Sequence, residues 1–80
     1  MVKVHLWSGL RRLTGGAEMV EVEAATIGEM LDALVAAHPA LAPVIAAGVS
    51  VAVDGEIGHG RFVPLRPESE IYLMQRLQGG

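Results

Sequence analysis

Eighty residues, 51% of them hydrophobic and 19% charged, leave room for one small domain, because a chain of this size buries only about 60 to 65% of its unfolded surface. Six Lys plus Arg against nine Asp plus Glu give a net charge of -3, without the basic stripe that phosphate-backbone binding requires, so nucleic acid is not an expected partner. The absence of cysteine excludes a disulfide framework, a thiolate metal site and a nucleophilic thiol within the chain.

No window reaches the roughly 18 consecutive apolar residues of a membrane span, and the amino terminus lacks the pattern of a secretory signal. A cytoplasmic location with no membrane partner is therefore the expectation.

Val2 to Trp7 alternates, with Val2, Val4 and Leu6 on one side and Lys3, His5 and Trp7 on the other, the period-2 pattern of a half-buried strand. The stretch from Ser8 to Ala17 contains Gly9, Gly15 and Gly16 and reads as a turn-forming connection. Met19 to Ala24 alternates again, with Val20, Val22 and Ala24 inward and Met19, Glu21 and Glu23 outward. Thr26-Ile27-Gly28-Glu29 fits a capping box, in which the Thr26 hydroxyl accepts from the Glu29 N–H and the Glu29 carboxylate reaches back to the Thr26 N–H. Ile27, Met30, Leu31, Leu34 and Val35 then recur at helical spacing, while Glu29 and Asp32 complement the positive end of the helix dipole.

His38-Pro39 ends that helix, because a residue before proline is pushed out of the helical region. Leu41 to Ala47 has room for one short apolar turn, and Pro43 argues against a long second helix. Val49, Val51 and Val53 form the next alternating run, and Asp54-Gly55 suits a tight hairpin turn. The return arm from Glu56 is interrupted by Gly58 and Gly60 and is expected to be a short irregular edge. Pro64 and Pro67 bracket a turn before a last strand, Glu70 to Met74. There is no internal repeat, linker or low-complexity segment.

The order strand, strand, helix, strand, short strand, strand, with one strong helix to cover one sheet face, suits an α+β roll. A right-handed crossover through the helix lets the last strand lie beside the first at the sheet centre, as in the ubiquitin-like β-grasp with its mixed sheet of four to five strands. The competing ferredoxin-like split βαβ fold needs a second full helix, which the pattern does not supply. The expected organisation is a domain over residues 1–74 and a tail over 75–80.

That tail ends Gln75-Arg76-Leu77-Gln78-Gly79-Gly80. One reading is a frayed polar end. The other is chemical: two residues without Cβ can thread a narrow channel and present the terminal carboxylate to a partner's active site. A carboxylate is a poor electrophile, so it needs activation, for instance as an acyl-adenylate, before a sulfur or nitrogen nucleophile attacks.

Val2-Lys3-Val4-His5-Leu6-Trp7 followed by Leu10-Arg11-Arg12-Leu13-Thr14-Gly15, the Val51-Ala52-Val53-Asp54-Gly55-Glu56 hairpin, and Pro64-Leu65 leading through Glu70-Ile71 to Gly79-Gly80 together resemble the MoaD/ThiS family of small sulfur-carrier proteins. Length and the Leu10 to Gly15 loop look more like the molybdopterin synthase small subunit than the shorter thiamine sulfur carrier. The resemblance implies that Gly80 is adenylated by an E1-like enzyme using ATP and Mg, then converted to a thiocarboxylate with sulfur from a persulfide donor. The client it implies is an enzyme such as the molybdopterin synthase large subunit, which receives the tail of Gly79, Gln78, Leu77 and Arg76. The chain itself binds no cofactor on this reading and is a carrier, not an enzyme. Gln75-Arg76-Leu77-Gln78 stands where the molybdopterin branch usually has a proline-containing apolar segment. Carriers for thiamine or cysteine synthesis, and relatives attached to lysines as modifiers, therefore remain alternatives, as does a ubiquitin-like interaction module without terminal chemistry.

Strand parity adds a surface. If Val2, Val4, Leu6, Ile71 and Leu73 face the helix, Trp7, Tyr72 and Met74 point to the uncovered face, either as a docking patch or as cover for the sheet. Phe62 is a further candidate for the patch, though its irregular segment gives no parity argument. His5, His38 and His59 are too widely spaced for a local metal motif, so no metal site is expected. Gly15-Gly16 and Gly58-His59-Gly60 lack the context and lysine of a phosphate-binding loop. Arg11, Arg12, Arg61 and Arg66 read as solvated charges, with Arg76 in the tail the best placed to meet an acidic partner.

Overall fold

The computed structural model describes residues 1–58 and 60–75. The site residues Arg76, Leu77, Gln78, Gly79 and Gly80, and His59, lie outside the described residues. In chain order the elements are β1 (Val2–His5), a 3₁₀-helix (Ser8–Leu13), β2 (Met19–Val22), α1 (Ile27–Ala37), a 3₁₀ turn (Pro39–Leu41), α2 (Ala42–Ala47), β3 (Val49–Val53), β4 (Glu56–Gly58) and β5 (Glu70–Gln75). The strands form one mixed sheet in the order β2-β1-β5-β3-β4. β1 and β5 are parallel neighbours, with Val4 opposite Ile71 and His5 opposite Tyr72, and the other pairings are antiparallel. This is the expected α+β, ubiquitin-like β-grasp arrangement, with first and last strands central.

Alternation decides which face is covered. Val2, Val4, Ile71, Leu73 and Val51 are buried against Ile27, Met30 and Leu34 of α1, with Leu6, Leu10, Val22, Leu41 and Leu65 closing the same core. Fully burying each of these aliphatic side chains is worth about 1.5 to 3 kcal/mol, so the helix is held by its apolar stripe more than by its own propensity. Its amino end is capped as the sequence suggests, with Glu29 N–H donating to Thr26 Oγ1 at 3.2 Å. The reciprocal bond differs from expectation: Glu29 Oε1 accepts from Ala25 N–H at 3.0 Å, one residue beyond Thr26. His38 closes the helix, its N–H donating to Leu34 O at 2.8 Å, and Pro39 begins the following 3₁₀ turn.

Two stretches differ from the sequence reading. The turn-forming segment after Trp7 contains a 3₁₀-helix whose Leu10 is buried in the core, so it plugs the end of the sheet instead of merely crossing it. β1 ends at His5 and β2 at Val22, both shorter than the alternation predicts: β2 runs out of partner where β1 begins, opposite Val2, and β1 leaves the sheet for the 3₁₀-helix although β5 runs on to Gln75. The short apolar turn foreseen at Leu41 to Ala47 is α2, with Pro43 in its first turn, where its missing N–H costs nothing. β4 is the expected three-residue edge.

Segment 61–65 straps the amino end of α1: Ile27 N–H donates to Val63 O at 3.0 Å, Gly28 N–H to Arg61 O at 2.9 Å, and Leu65 N–H to Ala25 O at 2.8 Å. Donors that a helix start leaves without intrahelical partners are thereby satisfied by the strap.

Candidate functional site

β5 supplies the base of the tail. It is paired on both sides, to β1 and to β3, and Val49 still opposes Gln75 at its end. The strand therefore runs one residue beyond the predicted Met74, and Gln75, expected to open the tail, is strand. Its start is latched as well: Glu70 N–H donates to Asp54 Oδ1 at 2.9 Å and Asp54 N–H to Glu70 O at 2.9 Å. Asp54 occupies the left-handed region at φ 49°, which Asp tolerates at a hairpin turn. The Glu70 N–H, with help from Ser69 and Arg66, holds the Asp54 carboxyl below its ordinary value.

The uncovered face carries a continuous row across all the strands. Met19 opposes His5, His5 opposes Tyr72, Tyr72 opposes Ala52, and Ala52 opposes Ile57. Met19, Ile57 and Tyr72 are 38%, 53% and 47% exposed. The Tyr72 and His5 rings stack at 4.3 Å with an 11° interplanar angle, and His5 Nε2 lies 3.1 Å from Glu70 Oε1. Beside this apolar row, Lys3 stands between Glu21 and Glu70 in register. Met74 shares the face, opposite Ser50. A flat apolar band with a charged margin is the form of a protein-docking surface.

The structure separates the four predicted docking residues. Tyr72 and Met74 are on the open face. Trp7 is not with them: pairing ends at His5, so parity no longer fixes its side chain. It packs against the core margin and lines a groove with Leu10, Leu13, Val44, Ala47 and Gln75 at the end from which the tail leaves. Phe62, 92% exposed, belongs to the strap beside α1 and is also apart from Tyr72. Met19 and Ile57 escaped the sequence reading. Each alternates correctly within its own strand, but only the register between strands aligns them with Tyr72.

Among the described residues no group of three or more His, Cys, Asp or Glu side chains could hold a metal ion, and no helix is long and apolar enough to cross a membrane. Arg61 reaches Asp32 at 2.8 Å and Gly28 O at 3.2 Å, which makes it part of the strap.

Known proteins give the same architecture. The chain is similar to the crystal structure of SAMP1 from Haloferax volcanii, at 29% identity and TM-score 0.81, covering 99% of this chain and 98% of that one. A chain of the Amycolatopsis orientalis BexX/CysO complex matches at 24% identity and TM-score 0.82, over 100% of both chains. A putative molybdopterin converting factor subunit 1 from Pyrococcus furiosus matches at 19% identity and TM-score 0.79, over 95% of this chain and 97% of that one. A comparison with curated protein sequences gives no match. The model of the ThiS family, however, matches residues 4–80, from β1 through the terminal Gly79-Gly80, and the chain accordingly belongs to the ThiS family of ubiquitin-like sulfur carriers.

Proposed function

We propose that this chain is the sulfur-carrying small subunit of molybdopterin synthase, with Gly80 as its reacting residue. The observation that carries the reading is the Gly79-Gly80 terminus at the end of the family match, five residues beyond a strand anchored at the centre of the sheet. On this reading an E1-like adenylyltransferase uses Mg-ATP to convert the Gly80 carboxylate to an acyl-adenylate, releasing pyrophosphate. A persulfide sulfur then attacks the activated carbonyl and AMP leaves. A partner thiol reduces the resulting acyl disulfide, leaving a thiocarboxylate on Gly80 and a disulfide on the partners. The large synthase subunit receives that tail, and the sulfur passes to the pterin precursor.

The chain contributes position, not catalysis. The tail of Arg76, Leu77, Gln78, Gly79 and Gly80 enters the partner's site, and the last two residues present no Cβ to a narrow channel. The open face around Tyr72 and Met74, enlarged by Met19 and Ile57, is the proposed docking surface. ATP, Mg and the persulfide belong to the partners.

The likeness to SAMP1, described as a small archaeal modifier protein, supports a second reading in which activated Gly80 is transferred to a lysine amine. A carrier for cysteine or thiamine synthesis uses the same activation. The test is intact-protein mass spectrometry after incubation with an E1-like enzyme, Mg-ATP and a persulfide donor. The expected result is exchange of one oxygen for one sulfur on the native chain and none on a chain lacking or extended beyond Gly80. Sulfur transfer by a chain lacking Gly80 overturns the reading. Adding the large synthase subunit and its pterin precursor then tests the client, and an isopeptide adduct in place of sulfur exchange favours the modifier.

A further inference from the structure

The open face of the sheet is not symmetric about its apolar row. On one side of the row, Met74 and Ser50 form an uncharged margin. On the other, Glu21 of β2, Lys3 of β1 and Glu70 of β5 stand opposite one another in register, and all three are exposed. β5 runs from Glu70 in this charged row, past Tyr72 in the apolar row, to Met74 and Gln75. The charged margin therefore marks the start of the strand, and the uncharged margin its end.

The charges of that row are unspent. Elsewhere Arg11 pairs with Glu18, Arg61 with Asp32 and Arg66 with Asp54. Among the described residues no ion pair joins Lys3 to either carboxylate, Glu21 meets no cation, and Glu70 touches the His5 ring alone, at 3.1 Å. Neighbouring strands lie about 4.8 Å apart, which sets Glu21 and Glu70 about 10 Å from each other with the ammonium between them. Glu23, beside Met1 and Val2, and Glu68, beside Asp54 and Ser69, extend the excess of carboxylate at the same end of the sheet.

We infer that the row of Glu21, Lys3 and Glu70 is a positional key, read by a protein partner that sets an apolar patch on Tyr72 and two Lys or Arg side chains, about 10 Å apart, on the two carboxylates. The inference rests on the open face being the docking surface, and it names the chemistry of what docks there. Lys3 repels a partner whose positive charge falls one strand over, so it serves selection more than affinity. Because the key lies beside the start of β5 and no charge marks the other margin, a partner that engages it seats the apolar row in one direction, with Gln75 pointing away from its basic strip.

The full chain and its variants are titrated by biolayer interferometry against the E1-like enzyme of the sulfur-exchange assay, without nucleotide, at about 0.05 M and about 0.5 M salt. Glu21→Gln and Glu70→Gln are each expected to weaken binding about two- to fivefold at the lower salt, mostly through the association rate, and to converge on the native chain at the higher. Lys3→Gln and Arg12→Gln change the net charge equally, but Arg12 lies on the 3₁₀-helix, off the open face. Lys3→Gln alone is expected to tighten binding, by about twofold. Equal effects of these two variants overturn the inference, because net charge then suffices. Native affinity in both glutamate variants overturns it too, and Tyr72→Ala separates the causes. If Tyr72→Ala still weakens binding, the face docks by apolar contact and the proposed docking surface stands; if it is also silent, that surface fails with the key. Sedimentation showing a dimer of the free chain that Tyr72→Ala dissociates likewise overturns the inference, since a second copy then covers the face.

Discussion

Gly28→Ala sets two effects of opposite sign against each other, and the geometry decides between them. Inside an exposed helix, replacing Gly by Ala is favourable by up to about 1 kcal/mol. At Gly28 the added Cβ would lie 2.9 Å from Arg61 Cβ, 3.0 Å from Arg61 Nε and 3.1 Å from Arg61 O. The guanidine can move aside, but Arg61 Cβ and O cannot without shifting the strap. Arg61 O is also the acceptor of the Gly28 N–H at 2.9 Å, and the neighbouring Ile27 N–H to Val63 O bond at 3.0 Å shares that backbone. Weakening both bonds costs about 1 to 3 kcal/mol, and loss of the exposed Arg61–Asp32 pair adds at most about 1 kcal/mol. The net expectation is destabilisation by about 1 to 2 kcal/mol, a fall in Tm of roughly 5 to 15 °C for a domain of this size. Urea denaturation with an unchanged m-value, alongside a thermal melt, measures it. Hydrogen exchange at the Ile27 and Gly28 amides should accelerate more than exchange in β5. A Tm equal to or above the native value would refute the argument, because helix propensity would then outweigh the packing of the strap.

Two further outcomes follow from the sheet. Tyr72→Ala removes the ring stacked on His5 and opens the cover over Ala52, its cross-strand neighbour; in pyrophosphate-release assays with the activating enzyme, KM for the carrier should rise about 10- to 30-fold with kcat unchanged, as for loss of a docking hot spot, and an unchanged KM counts against the open face as the docking surface. Asp54→Asn keeps a residue that tolerates φ 49° and removes only the charge. Because the Glu70 N–H depresses the Asp54 carboxyl, its contribution is fully present above the unfolded value near 3.8 and is lost as pH falls through the lower folded value. The urea midpoint of the native chain should therefore fall more steeply than that of Asp54→Asn below pH about 4, and parallel acid limbs would remove Asp54 from the account.

What the sequence revealed depended on how far each pattern was local. The covered face was readable because Val2, Val4, Ile71 and Leu73 alternate within their own strands, and α1 because Thr26, Glu29 and Pro39 mark its two ends through backbone chemistry. Trp7 was misplaced for the same reason: parity holds only while a partner strand enforces the pleat, and β1 loses β5 and β2 after His5. The 3₁₀-helix Ser8–Leu13 lies in a stretch whose glycines at 9, 15 and 16 read as a turn, and its three-residue spacing of Leu10 and Leu13 is too short a run to mark a helix. Met19 and Ile57 belong to strands at opposite edges, separated in sequence by α1 and β3. Only cross-strand register puts them in one row with Tyr72. For the proposed site, the reading rests on the two terminal glycines, whose argument is chemical and draws on no fold.

The placement of β5 connects these features to the work of a carrier. On the proposed reading, a tail inserted into one enzyme after another needs a base that does not yield when its tip is gripped, and a strand paired on both sides supplies it. β5 is held by β1 from Glu70 to Tyr72 and by β3 from Ile71 to Gln75, and the Asp54 latch fixes its first residue. Withdrawing it would break two ladders at once, whereas an edge strand would peel from one. The proposed docking band crosses the same strand at Tyr72, three residues before Gln75. Side chain identity thus changes along the sequence, from aromatic contact at Tyr72, through core anchoring at Leu73, to no side chain at Gly79 and Gly80. On the proposed reading, recognition and anchoring fall to neighbouring positions of β5, and reaction to the residues that follow it in sequence. The proposal therefore expects a substitution at Tyr72 to weaken docking without altering the terminal carboxyl, and a change at Gly80 to abolish sulfur transfer without disturbing the sheet.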